Sequence, residues 1–172
     1  MKKILMVLLL AAVCSYVISC GNDNEIAPVV TTTTAIETEA AEVNTPAPSG
    51  SLSTIMEQIY DGVEKPMTFD TVINEENAGY YLGISDASVF TEALSSDAAI
   101  NVIPHSVCLI RVADGQNVDD VKAMIEENAN PNKWICAFAE TVIVDNVGDV
   151  IILIMSDTDT ANALHNNFMG SV

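Results

Sequence analysis

Basic residues are what this chain most lacks: six lysines and arginines stand against 24 acids in 172 residues, a formal charge of −18. A surface this acidic repels phosphate backbones and anionic headgroups. That excludes nucleic acid as a partner and excludes membrane docking through a basic patch. Sequence patterns that carry chemistry are missing too. There is no G-x-S-x-G nucleophile turn, no H-E-x-x-H, no phosphate-binding loop and no zinc-type cysteine spacing. Nothing nominates a catalytic residue, a cofactor or a metal site, and the chain is expected not to be an enzyme. Aromatic residues are also scarce, at 5% with a single tryptophan.

What is present begins at the N-terminus. Lys2 and Lys3 form a short positive region, and Ile4 to Ile18 is an almost unbroken apolar run that is short for a membrane-spanning helix. Val17-Ile18-Ser19-Cys20 then has the form of a lipobox, in which a peptidase cuts before a cysteine that carries diacylglycerol. Residues 1–19 are therefore expected to be a lipoprotein signal peptide and Cys20 the lipid attachment site. Two acyl chains suffice for stable anchoring, so the mature protein is expected outside the cytoplasm on a bacterial cell membrane. Cleavage removes two of the six bases and no acid, moving the formal charge from −18 to −20. Cys14 leaves with the signal, so only Cys108 and Cys136 could pair. Both lie in apolar stretches, which favours free buried thiols over a bridge.

Residues 20–50 are rich in Thr, Ala, Glu and Pro, with Thr31 to Thr34 and then Pro46-Ala47-Pro48-Ser49-Gly50. Too few large apolar side chains are present to offset the entropy of ordering, which predicts a disordered tether. Its roughly 30 residues reach about 100 Å fully extended and average about 30 Å as a relaxed coil. Residues 51–172 are long enough for one domain with a real core.

In that domain, Leu52, Ile55, Met56, Ile59 and Tyr60 follow helical spacing. They predict a helix over about Thr54–Asp61, with Ser53 as cap and Gly62 as stop. A turn-rich passage through Pro66 and Asn74 to Asn77 follows. Val107–Val112 and Val150–Met155 read as strands. Each runs into an aspartate, Asp114 or Asp157, with apolar residues following at matching offsets: Val118, Val121 and Ile125, then Ala161, Leu164 and Phe168. Thr141–Asp145 and the strand from Val150 flank Asn146-Val147-Gly148-Asp149, a hairpin signal. Phe90–Ser95 is the corresponding strand before the first unit, although Ser85-Asp86-Ala87-Ser88 also caps a short helix. The layout is α-ββα-ββα: an α+β fold whose antiparallel sheet has about four strands, with helices on one face. The matched units fit a ββα-ββα pseudo-repeat, and they equally fit the ordinary preference of strand–helix junctions for aspartate.

Several groups of residues are of types that can carry chemistry. His105 and Cys108 lie three apart on a strand and point to opposite faces, so they form no thiol–imidazole pair. His165 reads as an exposed helix residue. Asp157-Thr158-Asp159-Thr160 fails as a calcium loop, because Ala161, Asn162 and Phe168 stand where a ligand, a glycine and a glutamate are needed; capping accounts for the acids. Tyr80, Tyr81 and Trp134 are the candidate binding surface: exposed, they would line a groove of the kind that takes glycans, and packed inward they would be ordinary core.

With Tyr81-Leu82-Gly83-Ile84, the strand into Ala113-Asp114-Gly115 with Val118-Asp119-Asp120-Val121-Lys122, and the Val150–Asp157 strand with its helix, residues 51–172 resemble a family of small lipoproteins of clostridia-like gut bacteria. Those proteins share a lipobox signal, an acidic low-complexity tether and a C-terminal domain of unknown function. In this chain Leu82 separates the tyrosine from the glycine that those relatives place side by side. The family has no established activity, so the resemblance implies no catalytic residue. The expectation is a lipid-anchored module that binds or scaffolds an envelope protein. The alternative is a receptor for a small ligand, a glycan or a cation.

Overall fold

The structure, a computed structural model, describes residues 46–171; the signal segment 1–19, Cys20, the tether through residue 45 and residue 172 lie outside the described residues. Helix α1 (Leu52–Ile59) precedes strand β1 (Thr68–Val72). A short helix α2 (Ala78–Tyr81) and a 3₁₀ turn (Ala87–Val89) lead into β2 (Phe90–Ala98), β3 (Ser106–Val112) and helix α3 (Val118–Asn128). Strands β4 (Thr141–Val147) and β5 (Val150–Ser156) and helix α4 (Thr158–Met169) follow. The fold is α+β, with one antiparallel five-stranded sheet in the order β1-β2-β3-β5-β4.

The fifth strand is β1, which occupies the passage expected to be turns. Four of the five residues of Thr68-Phe69-Asp70-Thr71-Val72, between Pro66 and Asn74, are β-branched or aromatic, and the segment pairs Thr68 with Ala98 through Val72 with Leu94. Helix α1 buries the expected stripe of Leu52, Ile55, Met56 and Ile59 but starts earlier, because Ser51 rather than Ser53 accepts the Thr54 N–H. Both readings of the passage before β2 hold. Asp86 caps the 3₁₀ turn, and the strand runs to Ala98 with a bulge between Phe90 and Glu92.

Helices cover both faces of the sheet rather than one. Val107, Leu109, Val150, Ile152 and Ile154 pack under α1 and α4. Cys108, Ile110, Ile151, Leu153 and Met155 pack under α3 and the α2 segment. The reason lies in β3 and β5, whose apolar runs offer no polar face to water and so need two layers.

That arrangement also decides the repeat. β3 and β5 are antiparallel neighbours, while α3 and α4 lie on opposite faces. A twofold axis exchanging antiparallel neighbours stands perpendicular to the sheet and would leave both helices on the same face. No rotation superimposes the units. Their caps differ as well: Asp157 caps α4 directly, whereas α3 is capped by Asn117, three residues after Asp114. The shared offsets come from similar strand–helix junctions, not a repeated fold.

The last residues assigned to the tether belong to the domain. Pro48 is buried, the Gly50 carbonyl accepts a bond from Arg111 Nη2 at 2.9 Å, and Ala47 lies close against Gly148 in the β4–β5 turn. Cys108 is a free, buried thiol as expected. Cys136 is also free but exposed, in the loop after α3.

Gly83 follows α2 at φ +75°, and a Cβ there would collide with the Asn128 carbonyl at the end of α3. Gly62, at φ +70°, has open space around it. Gly83→Ala should therefore destabilise by about 3 kcal/mol and Gly62→Ala by about 1 kcal/mol, as read by urea unfolding.

Candidate functional site

Strand β3 enters the sheet through two adjacent polar residues, and strand alternation sends them to opposite faces. His105 and Ser106 are both buried. Each anchors a separate polar cluster at the same end of the sheet.

On the α2/α3 face the cluster is built around Lys133, carried by the long loop between α3 and β4. The Ala139 N–H closes this loop on Pro131 O, and the Ile135 N–H ties it to Asn101 O between β2 and β3. The Lys133 side chain is only 2% exposed. Its Nζ donates to Asp97 Oδ1 at 2.9 Å and to Ser106 Oγ at 2.9 Å. The ring centres of Tyr80, Tyr81 and Trp134 stand 5.1, 5.1 and 5.3 Å from it. Tyr80 and Tyr81 meet edge to face at 4.9 Å.

The three aromatics singled out from the sequence are thus brought together, around a lysine of the chain itself. Trp134 is buried, Tyr81 is half-buried, and of the three Tyr80 alone is exposed. Ring faces attract an ammonium electrostatically, and more strongly once it is desolvated. The cage therefore solvates a buried cation and is full. Sequence reasoning missed Lys133, Asp97 and Ser106; the available signal was that Lys133, one of few bases, adjoins the only tryptophan.

On the α1/α4 face, His105 Nε2 lies 2.8 Å from Tyr60 Oη, and Nδ1 lies 2.9 Å from Ser156 Oγ. Ser156 Oγ donates to Asp157 Oδ2 at 3.3 Å. A carboxylate only accepts, which orients the chain: Tyr60 donates to His105, His105 Nδ1–H donates to Ser156, and Ser156 donates to Asp157. The imidazole is neutral in this scheme, and burial holds its pKa below the usual 6.5. Burial likewise pushes the Tyr60 hydroxyl well up. This is not the order of a catalytic triad, in which the serine donates to the histidine and the carboxylate orients the ring. Here the chain ties α1, β3, β5 and the start of α4 together.

His105 and Cys108 do face opposite ways, and burial raises the Cys108 thiol to about 12, which leaves it un-ionised. His165 is half-buried rather than exposed, with Nε2 2.8 Å from Asp145 Oδ2. All four basic side chains of the described residues are engaged within the chain. Lys65 sits over the Tyr60 ring, Arg111 meets Glu92 and Asp149, Lys122 meets Asp119 and Asn146, and Lys133 is caged. Among the described residues, no cluster of His, Cys, Asp or Glu is placed to hold a metal ion, and no helix is long and apolar enough to cross a membrane.

Large apolar residues are exposed around this same end: Met67 and Phe69 on β1, Ile100 and Val102 between β2 and β3, and Ile135 and Phe138 on the Lys133 loop. Backbone bonds from Ala99 N to Met67 O and from Ile135 N to Asn101 O join the three segments into one rim. Fold and site together define an α+β domain with a polar, aromatic-lined interior at one end and an apolar rim around it. The chain matches no protein-family model, no curated protein and no solved structure.

Removing the caged cation leaves Asp97 unpaired in the interior, where its Oδ2 has no partner. Lys133→Met should destabilise by about 3 kcal/mol, and adding Asp97→Asn should restore part of that, as read by urea unfolding. His105 generates a pH dependence. Its pKa is depressed in the fold, so the unfolded chain takes up a proton first, near 6.5. Stability should be complete above pH 6.5 and decline as pH falls below it; His105→Gln should flatten that slope in pH-dependent melting curves. For Asp157, burial pushes the carboxyl up, but the bonds from Thr160 and Ser156 outweigh it and leave the pKa below 3.8. Its contribution is present above 3.8 and is lost only as pH falls through the depressed value, a separate and more acid window.

Proposed function

We propose that this chain is a membrane-anchored extracytoplasmic lipoprotein whose domain binds or scaffolds a protein partner in the cell envelope. The observation that carries the binding role is the apolar rim, with Met67, Phe69, Ile100, Val102, Ile135 and Phe138 each more than half exposed at one end of the sheet. Contiguous exposed apolar surface rimmed by polar residues marks interaction sites. The chain leading towards Cys20 leaves from the other end, where Gly50 meets Arg111 and Ala47 meets Gly148. The first described residues therefore lie away from the rim. The anchoring itself rests on Val17-Ile18-Ser19-Cys20, on the apolar run before it, and on the resemblance to small gut-bacterial lipoproteins. The aromatic cage favours this reading over a glycan or small-ligand receptor, because Lys133 already fills it.

Photo-crosslinking from position 138 of the lipidated protein in cells tests the proposal. One recurrent envelope protein should be captured. Cys20→Ala should abolish uptake of labelled fatty acid and reduce the capture. Crosslinks spread evenly over abundant unrelated neighbours would overturn the binding role, and fatty-acid labelling that survives Cys20→Ala would overturn the anchor.

A further inference from the structure

The sheet has two edges, and they are built differently. β4 lies between α3 and α4 and exposes one large apolar residue, Val142. β1 exposes Phe69 and Val72, with Met67 just before it. Its backbone is available as well. The bonds from Ala99 N to Met67 O and from Ile73 N to Ala93 O show that the odd-numbered residues bond to β2. In an antiparallel ladder the intervening residues then point their N–H and C=O outward. Thr68 and Asp70 present both groups to solvent. Val72 presents its N–H, while its carbonyl accepts from Asn77 Nδ2 at 3.1 Å and closes that end of the edge.

Charge decides what can use this edge. Asp61, Glu64, Asp70, Glu75 and Glu76 are exposed on or beside β1, against a single base, Lys65, which lies over the Tyr60 ring and donates to Thr68 Oγ1 at 3.5 Å. A second copy pairing antiparallel about the centre of β1 would set Asp70 opposite its own equivalent, and like charges directly opposite destabilise a sheet. The chain's own tether brings Glu37, Glu39 and Glu42, again of the same sign. Acids on an edge guard against self-association, and by the same physics they select a basic strand.

We propose that β1 is a receiving edge to which an extended segment of another protein, alternating apolar and basic side chains, adds as a sixth strand. Main-chain bonds to Thr68 and Asp70 supply affinity, and side chains beside Phe69 and Asp70 supply selectivity, as in other strand-addition complexes. The proposal rests on the protein-binding reading above and names its surface and the chemistry of its partner.

The test uses the full chain in detergent micelles with two labelled octapeptides, one alternating valine and lysine, the other valine and glutamate. The lysine peptide should bind about tenfold more tightly, with affinity falling as salt rises. The same peptide with its backbone nitrogens methylated should not bind, since it keeps the charge but lacks strand donors. Asp70→Pro should abolish binding by removing an outward N–H, and Asp70→Lys should reverse the peptide preference. The second variant keeps the test decisive if the first fails to fold, which circular dichroism reports. Equal binding of both peptides, undiminished binding of the methylated peptide, a preference that survives Asp70→Lys, or a concentration-dependent dimer joined at β1 would each overturn the receiving edge. An envelope protein still captured from position 138 in such a case would leave the broader binding role standing.

Discussion

Two neighbouring strands, β3 and β5, are apolar on both sides, and that condition governs the rest of the architecture. Ile110 and Ile151 face one way, Leu109 and Ile152 the other, and all four are fully buried. At about 25 cal/mol per Å² of apolar surface removed from water, neither face can be left wet without a large loss. The chain must therefore supply a layer to each side. It does so with α1 and α4 on one face and α3 with the α2 segment on the other. Strands β1, β2 and β4 carry more polar residues, since each keeps part of its surface in water.

Where β3 enters the sheet this apolar rule is suspended. His105 and Ser106 are buried back to back, and each face needs its own means of satisfying them. One face uses a directed chain of neutral donors that ends on Asp157. The other uses a full charge, Lys133, neutralised by Asp97 and surrounded by three rings. The two solutions have different consequences. The neutral chain is sensitive to protons, while the ion pair fixes the path of the α3–β4 loop and so positions Ile135 and Phe138 on the rim.

Much of the secondary structure was legible because local pattern and tertiary need agree. The stripe from Leu52 to Tyr60, the runs at 107–112 and 150–155, and the Asn146–Asp149 hairpin all read correctly, since each is dictated by burial or turn chemistry. β1 was not read. A short edge strand is half polar by necessity, and its flanking proline and asparagines look like turn signals. The placement of helices on two faces was implicit in the continuous apolar runs, but which helix takes which face depends on the crossover after β3, and no local pattern records that. Tyr80, Tyr81 and Trp134 stood out by type and do converge. What the sequence concealed was the reason, since a lysine some fifty residues from the tyrosines shows nothing of its burial. Ser106 and Asp97 were silent for the same cause: their partner arrives through space.

With every lysine and arginine of the described domain turned to internal duty, the charge left facing solvent is almost all of one sign. Such a surface has too few neutralising partners of its own and recruits the rest from the medium. Its reach is set by dissolved ions, about 8 Å at physiological ionic strength and several-fold farther in dilute solution. Within that distance two copies repel and a cationic segment is drawn in. Beyond it neither effect is felt. The domain is in this sense a polyanion whose effective radius is chosen by the salt around it.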